Sequence, residues 1–455
     1  ETAFPHYYKV WLDDYSILTE MTPTERSVFF RITFPASDTA GIVIDAFDGG
    51  SYIKIIPEKR KIVGYATYNN GGVPENFANY FVIELDRDFY LITMADNDSL
   101  RDKNSELYGR HITAVIGFRT RKGEKVHLKA SSSFISLLQA ENNLNREIGK
   151  KTFEEIKASG FEKWNNELQK IMVEGGTEKQ KATFYSCLYR MLLFPRMFYE
   201  YNTENKPIYY SPYDGKIHQG YMMTDNGFWD TFRAAHPFYT IMYPDITEKQ
   251  LQSIINAIDE GGWMPQWSSP GYRNVMEGHH SCSIIADAWL KGIRNFNIGK
   301  AYSAMIRERN ERAPVKALGR DGFRDFNERG YLPYPDYSGS VSKTLDYAYD
   351  DFCIMQLATS LSKTDDAALL RNYAMNYKNV FDTITGFMRG KTREGKWVEP
   401  FNPYEWGGPY TEGNAWHYTW SVFHDIQGLI DLMGGKENFI TKLDALFNAS
   451  DSVNP

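Results

Sequence analysis

The stretch from Pro409 to Trp420 sets a single carboxylate, Glu412, among tyrosine and tryptophan rings and small residues. A carboxyl group held against apolar rings loses hydration, which disfavours its charged form and raises its pKa. We therefore expect Glu412 to remain protonated near neutral pH and to donate a proton to a leaving group. The alternative is an ordinary helix start, in which Thr411 is the N-cap and the helix dipole favours the carboxylate of Glu412.

A second group of side chains with possible chemistry lies between residues 221 and 233. Trp229 offers a ring face on which a sugar can stack, and the carboxylate of Asp230 beside it can accept hydrogen bonds from two vicinal hydroxyls. The alternative interpretation is structural: Asp230 is the N-cap of a helix and pairs with Arg233 one turn later.

Two further polar clusters leave both kinds of interpretation open. His279 and His280 are adjacent, so their side chains point in different directions; a shared metal ion is not expected, but one of them could hydrogen-bond a ligand. Asp346 and Asp350 are four residues apart and share one face of a predicted helix. They either raise each other's pKa or bind a cation, or they form a solvated or arginine-paired face.

The composition bounds the class of protein. The 455 residues suffice for two or three domains, at about 150 residues each, and a hydrophobic content of 42% supports a large core. The formal charge of −7 argues against a nucleic-acid or anionic-membrane partner, and no run of about 18 apolar residues predicts a membrane span. The three cysteines have no zinc spacing and lie in apolar helical patterns, so we expect buried free thiols at Cys187, Cys282 and Cys353.

The elements that must position these side chains fall into two parts. Up to about residue 135 the sequence consists of β-rich stretches separated by turn signals, the clearest stretches being 8–12, 28–34, 80–85 and 111–117. Several short strands without intervening helices predict an antiparallel β-sandwich over residues 1–138.

From about residue 140 the apolar period becomes helical. We predict a helical linker over residues 139–174 and a catalytic domain over 175–455, with helices beginning near Thr177, Thr247, Ser281, Lys300, Ser342, Asp365, Gly413 and Lys436. Thr247 opens a capping-box pattern. Helices in succession with long loops predict an (α/α)6 toroid, and about eight helices are fewer than the twelve it needs. Since the chain also begins without Met or a signal peptide, we expect a piece of a longer protein, truncated at both ends.

A pocket of Trp, Asp, Glu and His without a cofactor motif is the profile of a glycoside hydrolase. Three motifs of this sequence, at residues 228–233, 340–351 and 410–420, resemble in order the signatures of glycoside hydrolase family 92. This family comprises the calcium-dependent exo-acting α-mannosidases. Shorter matches at 12–15, 33–35, 193–196 and 284–288 extend the resemblance over nearly the whole chain.

The resemblance implies a β-sandwich, a helical linker and an (α/α)6 toroid. It also implies an inverting mechanism, in which an acid protonates the glycosidic oxygen while a base about 6.5–9.5 Å away activates water. It gives Glu412 the role of general acid and places Trp229 and Asp230 on the terminal mannose. The sugar-binding residues that we expect in addition are Arg233, His280, Asn414 and Trp416.

The sequence departs from the family at the base. The family's base lies in a Gly-Asn-Asp/Glu-Asp-Cys-Gly-Gln motif, and an Asn-Glu-Pro-Ser-His-His stretch builds its sugar and metal pocket; neither occurs in this sequence. Neither Asp350 nor Asp351 is assigned as the base. The resemblance implies calcium, which holds two sugar hydroxyls, with ligands expected outside this chain and no metal ligand within it.

Two alternatives stay open. The protein could bind mannose or another glycan without turnover, or it could be a different (α/α)6 carbohydrate-active enzyme such as a lyase or a phosphorylase. The charge of −7 disfavours the anionic substrate of a lyase, and no Arg/Lys/His cluster supplies a phosphate site. The expected partners are mannose-containing oligosaccharides or N-glycans. The linkage and the oligomeric state stay open, and the resemblance implies a periplasmic, secreted or cell-surface location in a bacterium.

Overall fold

The computed structural model describes residues 1–97, 99–101 and 104–449. It divides the chain into two compact units, Glu1–Met223 and Thr224–Pro455, which are described separately below. The predicted boundaries at residues 138 and 174 stay a prediction.

The first unit begins with antiparallel strands. Their bounds are β1 Thr2–Phe4, β2 Tyr7–Leu12, β3 Ile17–Pro23, β4 Ser27–Phe34, β5 Ser37–Asp45, β6 Ser51–Ile56, β7 Lys61–Ala66, β8 Asn79–Leu85, β9 Leu91–Asp96, β10 Ser99–Leu100, β11 Glu106–Gly109, β12 Ile112–Thr120 and β13 Glu124–Ser133. Short 3-10 turns occupy Asp13–Tyr15 and Pro57–Lys59. Each strand stretch that the sequence analysis singled out is a strand.

These strands form two sheets. Among the described residues, the larger has the order β1-β2-β3-β4-β13-β8-β7-β6-β11 and the smaller has the order β10-β9-β12-β5. Alternating apolar side chains of both sheets are buried against each other, for example Ile53 and Val126 from the larger and Ile112 and Ile116 from the smaller. The period of two along each strand places these residues on one face, which gives the predicted sandwich.

Three helices follow: α1 Leu137–Glu147, α2 Phe153–Leu168 and α3 Glu178–Met191. The first two cover the outer face of the larger sheet, where Leu144 and Phe153 pack with Phe29 and Val82. Capping boxes at Thr152 and Thr177 start α2 and α3, because each threonine hydroxyl accepts from the N3 amide and the N3 side chain accepts from the threonine amide. The unit also contains the short strands β14 Arg196–Met197, β15 Glu200–Tyr201, β16 Pro207–Tyr210 and β17 Ile217–Gln219.

The second unit is mainly helical. Its short strands, the first of which starts at the unit boundary, are β18 Met223–Thr224, β19 Asn226–Gly227, β20 Trp267–Ser268, β21 Phe381–Asp382 and β22 Phe387–Met388. Its helices are α4 Phe228–Thr231, α5 Ala235–Met242, α6 Pro244–Gly261, α7 Ser281–Leu290, α8 Ile298–Asn310, α9 Phe323–Arg329, α10 Ser340–Ser360, α11 Thr364–Ala374, α12 Ala415–Tyr418, α13 Ile426–Leu432 and α14 Lys436–Phe447. A 3-10 segment spans Met375–Val380.

The core of this unit lies around α10. Ile354 and Leu357 of α10 are fully buried with Ile285 of α7, Met305 of α8 and Leu251 of α6. Helix α7 is apolar on most of its faces, which is typical of a helix surrounded by protein. A second core, between α10 and the segment around α12, fixes the loop that carries Glu412.

Two local expectations are wrong. The capping box at Thr247 does not form, because α6 starts with Pro244 at its first turn and the Thr247 hydroxyl donates to the Tyr243 carbonyl within the helix. Cys187 is exposed, whereas Cys282 and Cys353 are buried free thiols as predicted. The helix predicted near Gly413 is present as the single turn α12, which begins at Ala415. No helix in the described part of the chain has the length and apolar character needed to span a membrane.

Candidate active site

Glu412 lies on the turn before α12, with its side chain exposed to solvent. Its backbone is left-handed, with a φ of 46°, which is uncommon for a residue other than glycine and must be held by its surroundings. The preceding residue supplies that support: the Thr411 amide donates to Oγ of Ser342 at 2.9 Å, and the Tyr418 hydroxyl donates to the Thr411 carbonyl. The turn therefore presents the carboxylate outward from a fixed backbone.

This position corrects two expectations. Glu412 is exposed in this structure, not held against apolar rings, because the neighbouring rings turn into the core beneath the loop, as Tyr410 and Tyr418 do. Nor is Thr411 a helix N-cap, since Asn414 caps α12 three residues later. The role of Glu412 as an acid stays a prediction.

Trp229, Asp230 and Arg233 lie on and just after α4. Asp230 and Arg233 are exposed and Trp229 is partly buried. The Arg233 guanidinium lies 5.6 Å from the ring centroid of Trp229 and 5.2 Å from that of Phe423, an exposed ring that the sequence analysis missed. Nε1 of Trp229 is buried and has no hydrogen-bond partner among the described residues. These side chains form an accessible surface of two rings, one cation and one carboxylate.

The two exposed carboxylates share one electrostatic neighbourhood. Partial burial raises the pKa of Asp230, the negative charge of Glu412 raises it further, and Arg233 opposes both. Two neighbouring negative charges repel each other. The site therefore favours a proton or a hydroxyl donor between the carboxylates of Glu412 and Asp230. The structure thus brings the predicted Glu412, Trp229, Asp230 and Arg233 together.

Because Gly227 has no side chain, the carboxylate of Asp230 can lie close to its backbone. A Cβ at this position would lie 2.7 Å from Oδ2 of Asp230 and would collide with the ring of Trp267. Its backbone φ of −90° is open to any residue, so the close approach of these two side chains is what requires glycine here.

His280 does not belong to this accessible surface. Its side chain is 1% exposed, its ring stacks on Phe232, and its nitrogens lie 3.6 Å from Oδ1 of Asp346 and 3.2 Å from Oδ1 of Asp350. Burial disfavours the charge, but the two carboxylates outweigh it and raise the pKa of His280 to about 9. The expected contact with sugar is therefore corrected: His280 is the cation of a buried ion-pair network.

The neighbouring acids complete that network. Burial alone would raise the pKa of Asp350, but His280, Arg320 and the amide of His279 together lower it. Asp351 is fully buried between Arg309, at 3.2 Å, and Arg320, at 2.8 Å. The acids of α10 are thus neither a solvated face nor an open cation site; they are paired with histidine and arginine inside the core.

Asn414 also lies differently from the prediction. The Asn414 side chain is buried and caps α12 by accepting from the His417 amide, so its amide serves the helix start. Trp416 is partly buried, packs edge-on against Phe387 with ring centroids 4.8 Å apart, and has Nζ of Lys442 at 5.1 Å from its ring. The Asn414 side chain is therefore not an accessible sugar ligand in this structure, and sugar contact by Trp416 stays a prediction.

The sequence analysis also missed Glu277, a carboxyl group beneath this loop. Its side chain is 9% exposed, and Nζ of Lys343 lies 3.8 Å from its Oε1. Burial is the main cause that raises the pKa of Glu277 to about 8. The only sequence signal was an acid beside the glycine that precedes His279, which by itself does not distinguish a buried from a solvated side chain.

Calcium requires six to eight oxygen ligands around one point. Among the described residues from 224 onward, no three acidic, histidine or cysteine ligand atoms lie within 4.8 Å of one another. Asp346 and Asp350 are close, but they are engaged with His280. The described acidic, histidine and cysteine side chains of this unit therefore do not by themselves form a calcium site.

Comparison with known proteins shows the family to which the chain belongs. The glycosyl hydrolase family 92 catalytic domain matches residues 139–454, and the family 92 N-terminal domain matches residues 1–133. A family GH92 inverting mannosidase from Bacteroides thetaiotaomicron is 46% identical, with a TM-score of 0.95, over 98% of this chain and 60% of that chain.

Two further relatives agree. A family GH92 α-mannosidase from the same bacterium, solved in complex with mannoimidazole, is 32% identical with a TM-score of 0.90 and covers 99% of this chain and 60% of that chain. An uncharacterized secreted glycosidase of Arthroderma benhamiae is 22% identical over 98% of this chain and 61% of its own length. The chain thus spans about three fifths of the length of these relatives, and the predicted order, an antiparallel β-domain followed by a helical domain, is confirmed.

Proposed function

The chain belongs to glycosyl hydrolase family 92, and on this premise we propose that the protein is an exo-acting α-mannosidase that releases terminal α-linked mannose from glycans with inversion of configuration. The observation that carries the proposal is the pairing of two exposed carboxylates, Glu412 and Asp230, beside the ring of Trp229. The similar inverting mannosidase supports both the substrate class and the stereochemistry.

Glu412 is the proposed general acid. Its carboxyl group donates a proton to the glycosidic oxygen as the bond to the leaving group breaks, and the fixed left-handed turn keeps the carboxyl group in place without further reorganisation. Its exposure suits an exo-acting enzyme, because the leaving glycan must remain accessible from solvent.

Trp229 and Asp230 are proposed to hold the terminal mannose. The apolar face of the sugar stacks on the indole ring, and Asp230 accepts hydrogen bonds from two vicinal hydroxyls. Arg233 keeps the neighbourhood of Asp230 from becoming too negative.

No residue of this chain is assigned as the base that activates water. The proposed calcium dependence rests on the family resemblance alone, so no step is routed through the ion. The proposed substrates are mannose-containing oligosaccharides or N-glycans, and the description of the fungal relative as secreted supports an extracytoplasmic location, periplasmic or at the cell surface in a bacterium.

The test is release of mannose from α-1,2-mannobiose by the natural gene product that contains this sequence, with and without a calcium chelator. Glu412→Gln keeps the shape of the side chain but removes the transferable proton, so turnover is lost while binding of mannose is retained. The matched control is Glu405→Gln, an exposed acid of the same loop, which leaves turnover unchanged.

Equal turnover by wild type and Glu412→Gln would refute the role of this residue. If no mannose is released from α-1,2-, α-1,3-, α-1,4- or α-1,6-linked substrates but mannose binds measurably, the protein is a glycan-binding protein and the proposed enzymatic function is refuted.

A further inference from the structure

Glu277 and Thr411 meet directly beneath the turn that carries Glu412. The Thr411 hydroxyl and the Glu277 carboxyl group lie side by side, and their interaction partly opposes the effect of burial on the pKa of Glu277. Gly339, the residue before α10, allows this approach: a Cβ there would lie 2.5 Å from Oγ1 of Thr411 and would collide with Oε1 of Glu277. The contact therefore occupies a space that only a glycine leaves open.

Thr411 is consequently held at each of its polar groups. Ser342 accepts from its amide at 2.9 Å, Tyr418 donates to its carbonyl, and the Glu277 carboxyl group lies beside its hydroxyl. Because Glu412 follows directly in a left-handed conformation, any rotation of Thr411 moves the carboxyl group of Glu412. Of these three contacts, the one from Glu277 reaches the turn from outside both α10 and the loop itself.

The burial of the Glu277 carboxyl group is electrostatically unfavourable, more so than a purely structural contact would justify. Its Oε2 is buried and has no hydrogen-bond partner among the described residues. Six side chains face it, namely Lys343, Asp346 and Tyr347 of α10, Asp321, and Thr411 and Tyr418 of the loop. Lys343 is shared with Asp321, to which its Nζ lies 3.2 Å away. Such a poorly compensated buried acid is typical of a functional site.

We propose that Glu277 is a positioning residue for Glu412: through the hydroxyl of Thr411 it fixes the left-handed turn that aims the Glu412 carboxyl group at the glycosidic oxygen. This rests on the proposed function of Glu412, which it deepens. Glu277 does not touch the reacting atoms. Its contribution is orientation, and a displacement of about 1 Å of an acid can cost roughly 100-fold in rate.

The first measurement is kinetic. Glu277→Ala removes the acceptor, so kcat for mannobiose falls by about 10- to 100-fold while KM stays within about twofold. Glu277→Gln keeps a carbonyl oxygen as acceptor and retains most of kcat. Thr411→Val removes the other partner, and the double variant Glu277→Ala/Thr411→Val loses no more than either single variant, because both break one contact.

The pH dependence of kcat provides a second measurement, which would be unchanged if Glu277 had only a structural role. Glu277 faces the acids and the lysine named above, and its ionisation near pH 8 adds a negative charge beneath Glu412. Wild type therefore shows a transition in kcat near pH 8 that Glu277→Gln lacks. Losses that add in the double variant, or identical pH profiles, would overturn the proposal.

The third measurement does not depend on turnover. Deuterium uptake by the peptide that contains Thr411 and Glu412 becomes about tenfold faster in Glu277→Ala. It is unchanged in Glu308→Gln, a control that alters a more deeply buried acid whose partners are His279 and the Met264 amide. Unchanged uptake in Glu277→Ala overturns the positioning role, whatever the activity of the protein. Faster uptake in a protein whose Glu412→Gln variant keeps full turnover refutes the proposed function alone.

Discussion

The ring of His280 stacks on the ring of Phe232, with centroids 4.0 Å apart and planes inclined by 9°. The stack closes one face of the imidazole, while Asp350 approaches Nδ1 at 3.2 Å with neither side chain more than 1% exposed. A histidine that looks like a ligand-binding residue in the sequence thus becomes the centre of the core that carries α4 and α10.

Removal of this cation destabilises the helical unit. His280→Ala leaves Asp346 and Asp350 buried without their cation, and breaking a buried pair costs about 3–5 kcal/mol. Denaturant unfolding of the purified protein measures the loss. The control His127→Ala changes a half-exposed histidine of the first unit and shifts the midpoint by much less. Equal effects of the two variants would show that His280 is not charged in the folded protein.

The pH dependence of the same interaction has a defined sign. The folded-state pKa of about 9 lies above the ordinary value of 6.5, so the folded protein holds a proton that the unfolded chain releases. The stabilisation by His280 is fully present below pH 6.5 and is lost as the pH rises through 9. Unfolding midpoints of wild type and His280→Ala therefore converge between pH 6.5 and 9, and a constant difference across this range would contradict the assignment.

Asp230 contributes to binding of the terminal sugar. Asp230→Ala leaves two sugar hydroxyls without an acceptor and weakens binding of a mannose analogue by about 1–3 kcal/mol, roughly 5- to 150-fold in Kd. Isothermal titration calorimetry measures the change. Asp245→Ala, which removes an exposed acid from the first turn of α6, is the control and leaves Kd unchanged. An unaltered Kd in Asp230→Ala removes this residue from the sugar site.

Gly227 provides a test that leaves the polar groups in place. In Gly227→Ala the new methyl group displaces either the Asp230 carboxylate or the Trp267 ring, since it cannot coexist with both. Binding of a mannose analogue weakens by at least tenfold. The matched change Gly299→Ala meets only Oδ1 of Asn297, at 3.6 Å, and retains full binding. Full binding by Gly227→Ala would mean that the side chain displaced by the methyl group does not contribute to the sugar site.

Local sequence patterns predicted the exposed part of the site but not its support. Trp229, Asp230 and Arg233 lie within five residues, so one short helix fixes their mutual placement and the motif alone could reveal it. His280 contacts Asp350, which is 70 residues away in sequence, and no local pattern indicates that the pair is buried. Glu277 escaped notice for the same reason, because its partner Thr411 is 134 residues away.

The same limit applies to the fold. Period-two strands and the capping boxes at Thr152 and Thr177 could be read locally, because their hydrogen bonds or alternation are local. Thr247 carried an equally good capping pattern, but Pro244 three residues earlier begins the helix. A proline at the first helical position is itself a start signal, so two local signals compete here and the capping pattern alone does not decide between them.

The ionisation of Glu277 makes the free energy of unfolding depend on pH, and the substitution Glu277→Gln removes this dependence. Its folded-state pKa of about 8 lies above the ordinary 4.5, so between these values the folded protein keeps a proton that the unfolded chain has released. Stability therefore falls as the pH rises from 4.5 to 8, by an amount on the order of 3 kcal/mol at pH 7. The glutamine side chain in Glu277→Gln cannot ionise. The unfolding midpoint of this variant therefore rises relative to that of wild type as the pH increases from 4.5 to 8. The exposed control Glu405→Gln follows wild type throughout, and a Glu277→Gln difference that is constant from pH 5 to 8 would show that the carboxyl group is already ionised in the folded protein.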